Sequence, residues 1–196
     1  VLIMELMGKH SNIIFCKEDG TILDSIKHVS AQVSSVREVL PGRMYFIPHT
    51  TDKEDPLTIS EETFANAIGS TPAPVQKALY QKLTGISPII GTEICHLASI
   101  DGDRSANELS PAELTHLYHM FHLLMEDVKN SRFTPNIIYR GEEPVEFSSV
   151  PLTCYESAEY QTKPFGSISR LLDSYYSEKS AVTRIRQKSV DLRKIV

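Results

Sequence analysis

The sequence has few cysteines, few glycines and no long apolar run, and each shortage excludes a class of protein. Its 9 glycines and 11 prolines follow no period, which excludes collagen-like and low-complexity chains. The longest unbroken apolar runs are only a few residues, as at 123–125, whereas a membrane-spanning helix needs about 20. We therefore expect no membrane span.

The cysteines Cys16, Cys95 and Cys154 are odd in number and far apart, so neither a disulfide framework nor a CxxC metal site is expected. The run 1–7 has neither the basic start nor the cleavage site of a signal peptide. Because the first residue is Val1, we interpret the chain as an internal fragment of a longer protein. A reducing, cytoplasmic location is expected.

What the sequence does contain is an ordinary globular composition with an uneven charge distribution. Hydrophobic residues make up 41% and charged residues 23%, enough to build a core. The formal net charge is -5, yet the segment 178–194 carries six basic and two acidic residues. A basic C-terminal helix on an acidic body indicates either a polyanionic partner or a solvated helix face.

Hydrophobic patterning predicts an α+β fold. Strands are expected at 1–7, 13–16, 21–26, 44–47, 136–139, 145–147 and 150–155. Helices are expected at 60–68, 72–84, 88–99, 110–130 and 167–196, with Ser60, Thr71, Ser87 and Ser110 as N-caps. The last helix carries a short a/d seam at Val182, Ile185, Ser189, Leu192 and Val196, which is typical of the start of a coiled coil.

These elements suggest four parts. They are a β domain at 1–56, a helix-hairpin-helix domain at 57–131, a β hairpin and connector at 132–166, and a coiled-coil root helix at 167–196. The sequence leaves open whether the hairpin at 136–147 pairs with the first sheet.

No pattern indicates catalysis. His116, His119 and His122 lie on one predicted helix, but successive steps of three residues turn about 60° away from one face. Ordinary surface histidines are therefore favoured over a zinc site. The sequence also lacks a GxSxG elbow, a CxxC pair and a Gly-rich phosphate loop. We expect a binding protein without metal or cofactor.

Two turns are candidate phosphate sites. The loop Gly8, Lys9, His10, Ser11, Asn12 collects a cation, an imidazole and hydrogen-bonding groups at a hairpin tip, and Arg37 and Arg43 flank a later turn. The turn at 83–88, with Gly85 and Ser87, has the pattern of a helix-hairpin-helix, which aims backbone N–H groups at a phosphate. The alternatives are a solubilising polar turn and a purely structural αα-hairpin.

Several runs resemble one known family. The runs are 5–14, 19–20, 22–27, 34–37 and 40–45, with 85–88, 172–176 and 184–188 as weaker matches. They are similar to the NFACT-N family, which includes fibronectin-binding protein A homologues of bacteria and ribosome quality-control factors of the RqcH and NEMF type. The resemblance implies a partial β-rich domain similar to that of formamidopyrimidine-type DNA glycosylases, without glycosylase chemistry.

The resemblance also implies partners. Members bind the large ribosomal subunit and tRNA and promote C-terminal tailing of stalled peptides, while some streptococcal members are described as adhesins for fibronectin or fibrinogen. The family's tRNA-contacting Asp-Arg pair is expected before Val1, and Asp103-Arg104 is not assigned that role.

A partial sheet leaves an exposed edge, so self-association is expected. A DNA-binding helix-hairpin-helix protein is a third hypothesis, which a preference for folded RNA over duplex DNA would exclude.

The sequence thus predicts an RNA-binding surface with three groups of contacts. The first group is Lys9, His10, Ser11, Asn12, Arg37 and Arg43, the second is Gly85 and Ser87, and the third is Arg184, Arg186 and Lys188.

Charge reversal at Lys9 and Arg37 is expected to weaken RNA binding and to flatten its dependence on salt, because fewer counterions are released. A salt titration of RNA affinity measures this. An unchanged slope in the double variant would remove both residues from the site.

Overall fold

The structure is a computed structural model that describes residues 1–47 and 53–193, with side chains as far as Ser180. The chain divides into two compact units, Val1–Asp52 and Lys53–Val196, which we call unit 1 and unit 2. The described part is α+β, with two three-stranded antiparallel sheets and five α-helices. The strands are β1 Leu2–Glu5, β2 Asn12–Cys16, β3 Ile22–Ser25, β4 Asn136–Arg140, β5 Glu143–Ser148 and β6 Tyr160–Pro164. The helices are α1 Glu61–Gly69, α2 Val75–Lys82, α3 Pro88–Leu97, α4 Pro111–Lys129 and α5 Ile168–Arg193.

Unit 1 is built on the predicted meander, in the order β1-β2-β3. Ile3 lies opposite Ile14, and a bulge between Phe15 and Cys16 shifts the register toward β3. Because strand side chains alternate, one face buries Ile14 and Ile22 in a small core. The other face exposes apolar side chains, namely Leu2, Met4, Ile13, Phe15 and Leu23.

The predicted strand at 44–47 is wrong for the described residues. Met44 forms only an isolated bridge with Thr21, and Tyr45 N–H donates to the Gly20 carbonyl. Beyond that point the Phe46 carbonyl accepts a hydrogen bond from the Arg37 guanidinium at 2.8 Å. A side chain therefore takes the backbone group that a ladder would need.

In unit 2, three predicted helix starts are confirmed. The hydroxyl groups of Ser60, Ser87 and Ser110 each accept a hydrogen bond from a backbone N–H in the first turn of α1, α3 and α4. Ser110 and Glu113 complete a capping box. The helices bury a common core in which Phe64 stacks on Phe121 with a centroid distance of 4.9 Å.

Helix α2 begins later than predicted. The Thr71 hydroxyl donates to the Ala67 carbonyl and so closes the end of α1 instead of capping α2. Residues 73–75 then pair with 104–106: Ala106 N–H donates to the Ala73 carbonyl, and Val75 N–H donates to the Arg104 carbonyl. This extended pairing delays the helix until Val75.

The second sheet has the order β5-β4-β6, so β4 pairs with β5 and β6. This sheet packs against α5 through Ile137, Leu171 and Tyr175. The predicted extended run at 150–155 instead contains a 3-10 turn, Thr153–Tyr155. Strand β6 was not predicted because its sequence is polar and it lies exposed at the sheet edge.

The predicted C-terminal helix is confirmed as α5. The seam residues Val182, Ile185, Ser189 and Leu192 have no described side chains, and Val196 lies outside the described residues. The coiled coil therefore stays a prediction. None of the helices in the described chain has the length and apolar character needed to cross a membrane.

Helices α2 and α3 approach closely at Gly91. A Cβ atom there would lie 2.7 Å from the Gln76 carbonyl oxygen, which is backbone and cannot swing away. Gln76 also links α2 to its neighbours, accepting from the Thr92 hydroxyl of α3 at 2.9 Å and donating to Asp103 of the following loop at 2.7 Å. The crossing therefore requires glycine.

Gly91→Ala is expected to lower the free energy of unfolding by about 1–3 kcal/mol, because the added methyl group forces the two helices apart. Urea denaturation monitored by circular dichroism measures this. Gly166→Ala is the matched control, since a Cβ atom at Gly166 meets open space. Equal stability of the two variants would contradict the close crossing.

Candidate nucleic-acid interface

The loop between β1 and β2 is a rigid tip that presents Lys9 and His10. Gly8 has φ +56°, a left-handed conformation that glycine adopts without strain, and it starts a 3-10 turn over Gly8–His10. The turn is closed by hydrogen bonds from His10 N–H to the Met7 carbonyl and from Met7 N–H to the Ser11 hydroxyl. Lys9 and His10 are therefore exposed on a fixed backbone.

Asn12 joins this loop to the segment that follows β3. Its amide nitrogen donates to the Lys27 carbonyl at 2.9 Å, and its amide oxygen accepts from the Lys27 N–H at 2.9 Å. Asn12 is buried and both ends of its amide are occupied. Asn12 therefore has a structural role here, because it holds the Lys27 backbone beside the loop.

The Asn12 bridge brings Lys27 and His28 to the loop, although neither was a predicted site residue. The Lys27 ammonium group donates to the Lys9 carbonyl at 3.1 Å, which places the two lysines side by side. The His28 ring lies 2.8 Å from Asp24, and this hydrogen bond lowers the pKa of the Asp24 carboxyl. The only sequence signal was a basic dipeptide directly after a strand.

Arg37 is the buried member of the predicted set. Its guanidinium donates to both carboxylate oxygens of Glu5 and to the Phe46 carbonyl, and it lies 5.4 Å from the Tyr45 ring centroid. The Arg37 side chain is only 9% exposed. Burial lowers the pKa of Arg37, but the hydrogen bonds to Glu5 outweigh it, so its pKa is raised.

These side chains border one groove of about 550 Å³ within unit 1, which we call the basic groove. Loop 30–38 also contributes to the lining and is closed at its base by paired hydrogen bonds between Val29 and Val39. The groove is lined by Glu5, Met7, Lys9, His10, Asn12, Lys27, His28, Val29, Val33, Ser34, Val36, Arg37 and Val39. Lys9, His10, Asn12 and Arg37 thus line the same groove.

Arg43 is not among the residues that line the basic groove. It is exposed, and its Nε lies 2.9 Å from a carboxylate oxygen of Glu38. The Ser11 hydroxyl closes the loop by accepting from Met7 and is likewise not in the groove lining.

The second predicted group lies in unit 2, at the turn between α2 and α3. Gly85 has φ +74°, and the Ser87 hydroxyl accepts from Ile90 N–H at 3.4 Å. A separate cavity of about 410 Å³ adjoins this turn and is bordered mainly by apolar side chains such as Ile86, Met125 and Phe133. Two helices joined by a short turn are present, and both the helix-hairpin-helix assignment and its role in binding phosphate stay predictions.

The third predicted group lies on α5. Arg184, Arg186 and Lys188 fall within its helical backbone, where side chains are not described.

Arg104, of the Asp103-Arg104 pair, is held by Glu113 and by the Glu108 carbonyl. That arginine supports the start of α4.

The histidines of α4 border a shallow depression together with Glu61 and Tyr118. Among the side chains that the structure describes, in 1–47 and 53–180, no group of three or more His, Cys, Asp or Glu is arranged to hold a metal ion. Burial raises the pKa of Cys95 to about 12. Burial, followed by a hydrogen bond to Glu93, does the same for Cys154, to about 12. Neither thiol forms a thiolate nucleophile near neutral pH.

Comparison with known proteins identifies the family. The model of the NFACT N-terminal and middle domains matches residues 1–196. The chain is 33% identical over 198 residues to the Rqc2 homolog RqcH of Bacillus subtilis (strain 168), covering all of this chain and 32% of that protein. It is 32% identical to the Rqc2 homolog RqcH of Streptococcus suis, again over all of this chain and 30% of that protein. The chain thus spans about a third of these relatives.

Two solved structures are similar in fold to this chain. The fibrinogen binding protein from Staphylococcus aureus superposes with a TM-score of 0.68 at 26% identity, covering 89% of this chain and 58% of that one. The N-terminal part of the fibronectin/fibrinogen-binding protein from Streptococcus suis gives a TM-score of 0.56 at 30% identity, covering 91% and 57%.

The chain is therefore an α+β protein that shares the fold of these N-terminal domains. It belongs to the NFACT-N family, as its sequence runs indicated.

Arg37→Gln is expected to destabilise unit 1 by about 3 kcal/mol, because it leaves the buried Glu5 carboxylate without its partner. Hydrogen–deuterium exchange of the β2 amides measures this local stability. Arg43→Gln removes the same charge from a side chain that is 61% exposed and should cost less than about 1 kcal/mol. Equally protected amides in both variants would contradict a structural role for Arg37.

Proposed function

We propose that this chain is part of a ribosome quality-control factor and that its basic groove binds RNA phosphates. The observation that carries the proposal is the convergence of Lys9, His10, Lys27 and His28 on one groove, although the sequence separates them into two turns. The family membership supports it, since the matched relatives are named Rqc2 homologs.

The charges of the groove suit a polyanion. The Glu5 carboxylate is neutralised by the Arg37 guanidinium, so it does not oppose an anion at the rim. Asp24 offsets His28 in part, which leaves Lys9 and Lys27 as the permanent cations. The Lys27 ammonium group lies at the Lys9 backbone, and both lysines line the groove, so the two can contact phosphates of one strand without reading a particular base.

In this proposal the chain acts by binding, and the chemistry of peptide tailing belongs to the ribosome. The partners are the large ribosomal subunit and tRNA, in the cytoplasm. The α2–α3 turn, as a helix-hairpin-helix, and the basic coiled-coil root of α5 supply further phosphate contacts. The Arg37 contact predicted from sequence becomes a supporting one, because its side chain is buried.

Lys9→Gln with Lys27→Gln is expected to reduce the slope of log affinity against log salt by about 1.5, because two phosphate contacts no longer release counterions. Fluorescence anisotropy with labelled tRNA, at salt concentrations between about 50 and 200 mM, measures this slope.

The matched control is Lys17→Gln with Lys163→Gln, which removes the same charge from exposed lysines outside the groove lining. An equal loss of slope in both double variants would mean that net charge, and not the groove, governs binding.

The second candidate function is adhesion to fibronectin or fibrinogen. It is favoured by the two solved neighbours, which are described as fibrinogen- or fibronectin/fibrinogen-binding proteins. Binding to large ribosomal subunits, tRNA, fibronectin and fibrinogen should therefore be measured side by side. Steep salt dependence with the RNA ligands supports the first function, and saturable, salt-resistant capture of either matrix protein without RNA binding supports the second.

A further inference from the structure

Unit 2 carries a second concave site, which the proposed function does not use. It is the cavity of about 410 Å³ beside the α2–α3 turn, which we call the apolar pocket. Segments 55–57, 84–86 and 149–150 border it together with Phe133 and the C-terminal part of α4. Because these segments are distant in sequence, only the folded unit contains the pocket.

The lining of the apolar pocket consists largely of core side chains. Ile86 and Met125 belong to the buried core of unit 2, and Ile90 and Val128 pack against that core. Phe133, by contrast, is 47% exposed although it borders the pocket. An apolar side chain bound here would leave water and cover the exposed ring as well, and both changes are favourable. The flexible thioether of Met125 can adapt to the shape of such a side chain.

A single charge borders the pocket, and it is negative. Asp55 is the charged residue of the described lining, and its Oδ1 accepts a hydrogen bond from the Leu57 N–H at 2.9 Å. Among the side chains that the structure describes, no lysine, arginine or histidine forms an ion pair with Asp55. The carboxylate therefore has a fixed position and remains available to a cation from outside.

The wider charge of this part of the chain has the same sign. Residues 53–177 include 17 acidic and 9 basic side chains. The two basic residues beside the end of α4, Lys129 and Arg132, are paired with Glu126 and Asp127. An RNA phosphate at the pocket would meet the Asp55 carboxylate and this negative charge, whereas a basic partner is attracted by both.

We propose that the apolar pocket docks a short basic peptide of a partner protein. An apolar side chain of the peptide packs on Ile86, Met125 and Phe133, and a neighbouring lysine or arginine pairs with the Asp55 carboxylate. The volume of about 410 Å³ lies within the range of ligand pockets. This inference goes beyond the RNA-binding function and does not depend on it, since it concerns other residues in the other unit.

A peptide suits the pocket better than a free amine, because polar groups for a main chain also border it. In the described part of the chain, neither the Gly85 N–H nor the Ser149 hydroxyl has a hydrogen-bond partner. Both residues line the pocket. The N–H can donate to a peptide carbonyl and the hydroxyl can accept from a peptide N–H, contacts that an alkyl amine does not supply.

The test selects random heptapeptides displayed on phage against the full 196-residue chain, in parallel with its Asp55→Asn variant. We expect the sequences enriched on the native chain over the variant to place lysine or arginine next to a large apolar residue. Differential enrichment of acidic or purely apolar sequences, or no differential enrichment, would overturn the proposal.

Asp55→Asn should also weaken binding of the most enriched peptide about fivefold, because the amide oxygen still accepts from Leu57 N–H but carries no charge. Asp101→Asn is the matched control. Its carboxylate likewise accepts an N–H from two residues further on, that of Asp103 at 3.0 Å, and it lies outside the pocket lining. Equal losses in the two variants would mean that net charge governs binding, and the proposal would be wrong.

Phe133→Ser tests the apolar contact and should weaken binding of the same peptide about tenfold. Leu123→Ser is its control, because Leu123 has a similar exposure of 50% and does not line the pocket. Unchanged circular dichroism melting of the variants checks the fold. A Phe133→Ser chain that binds the peptide as tightly as the native chain would overturn the proposal.

RNA and small amines are the competing occupants. Displacement of the peptide by tRNA, with weaker tRNA binding by Phe133→Ser, would assign the pocket to RNA and overturn the proposal. Displacement by an equal concentration of hexylamine would assign it to small amines, with the same consequence. Peptide binding that persists in Lys9→Gln with Lys27→Gln would support a pocket independent of the basic groove, so either proposal can fail alone.

Discussion

The ion pair between Glu5 and Arg37 is the interaction on which unit 1 depends. It joins the end of β1 to loop 30–38, two segments that are distant in sequence and that both line the groove. Because both side chains are nearly buried, each charge needs the other, and the pair has one geometry in which both are satisfied. The pair also extends to Tyr45, whose hydroxyl donates to Glu5 at 3.1 Å.

Asn12 provides the second constraint, and it acts through the backbone. A side-chain amide that both donates to and accepts from one residue imitates the pairing of a neighbouring strand. The chain after β3 is thereby held beside the start of β2, although no regular ladder continues there. The Glu5–Arg37 ion pair and the Asn12–Lys27 hydrogen bonds thus define the groove. The Lys27 ammonium group adds one further contact, a hydrogen bond to the Lys9 carbonyl.

In unit 2, buried polar groups link elements in the same manner. Glu93 on α3 is almost fully buried and accepts from the Thr153 hydroxyl and from Cys154 N–H at 2.8 Å. It therefore fixes the 3-10 turn Thr153–Tyr155 against the helical core. Gln76 plays the corresponding part between α2 and the loop at 101–103. Each contact joins segments that local sequence patterns treat as independent.

Local signals explain why the sequence predicted some features and missed others. The caps Ser60, Ser87 and Ser110 act within one turn, so their pattern was sufficient. Thr71 carried the same signal, but pairing of 73–75 with a distant segment overrode it. Strand β6 has no alternating apolar residues because it lies exposed at the sheet edge, and its pairing with β4 is made by backbone groups.

In the candidate site, too, residues adjacent in sequence were predicted, and residues placed by distant contacts were not. The loop at Lys9 was predicted because its residues are adjacent, whereas Lys27 and His28 reach the groove only through Asn12. The burial of Arg37 depends on Glu5, 32 positions away, and no local pattern could show it. Val33 and Val36 also line the groove, and no local pattern could show this because the lysines of the same groove lie in other turns.

The open face of the first sheet has a consequence for the energetics of this chain. A sheet that buries one face gains only part of the apolar stabilisation of a two-sided sheet, and the buried core in the described part of unit 1 consists of Ile14, Cys16, Ile22 and Val39. Unit 2 buries a larger core that includes aromatic rings between several helices. The groove is therefore built on the unit with the smaller buried core, where local opening has its own equilibrium. Whatever occupies the groove also holds that unit folded, so binding free energy and local folding free energy are one linked quantity.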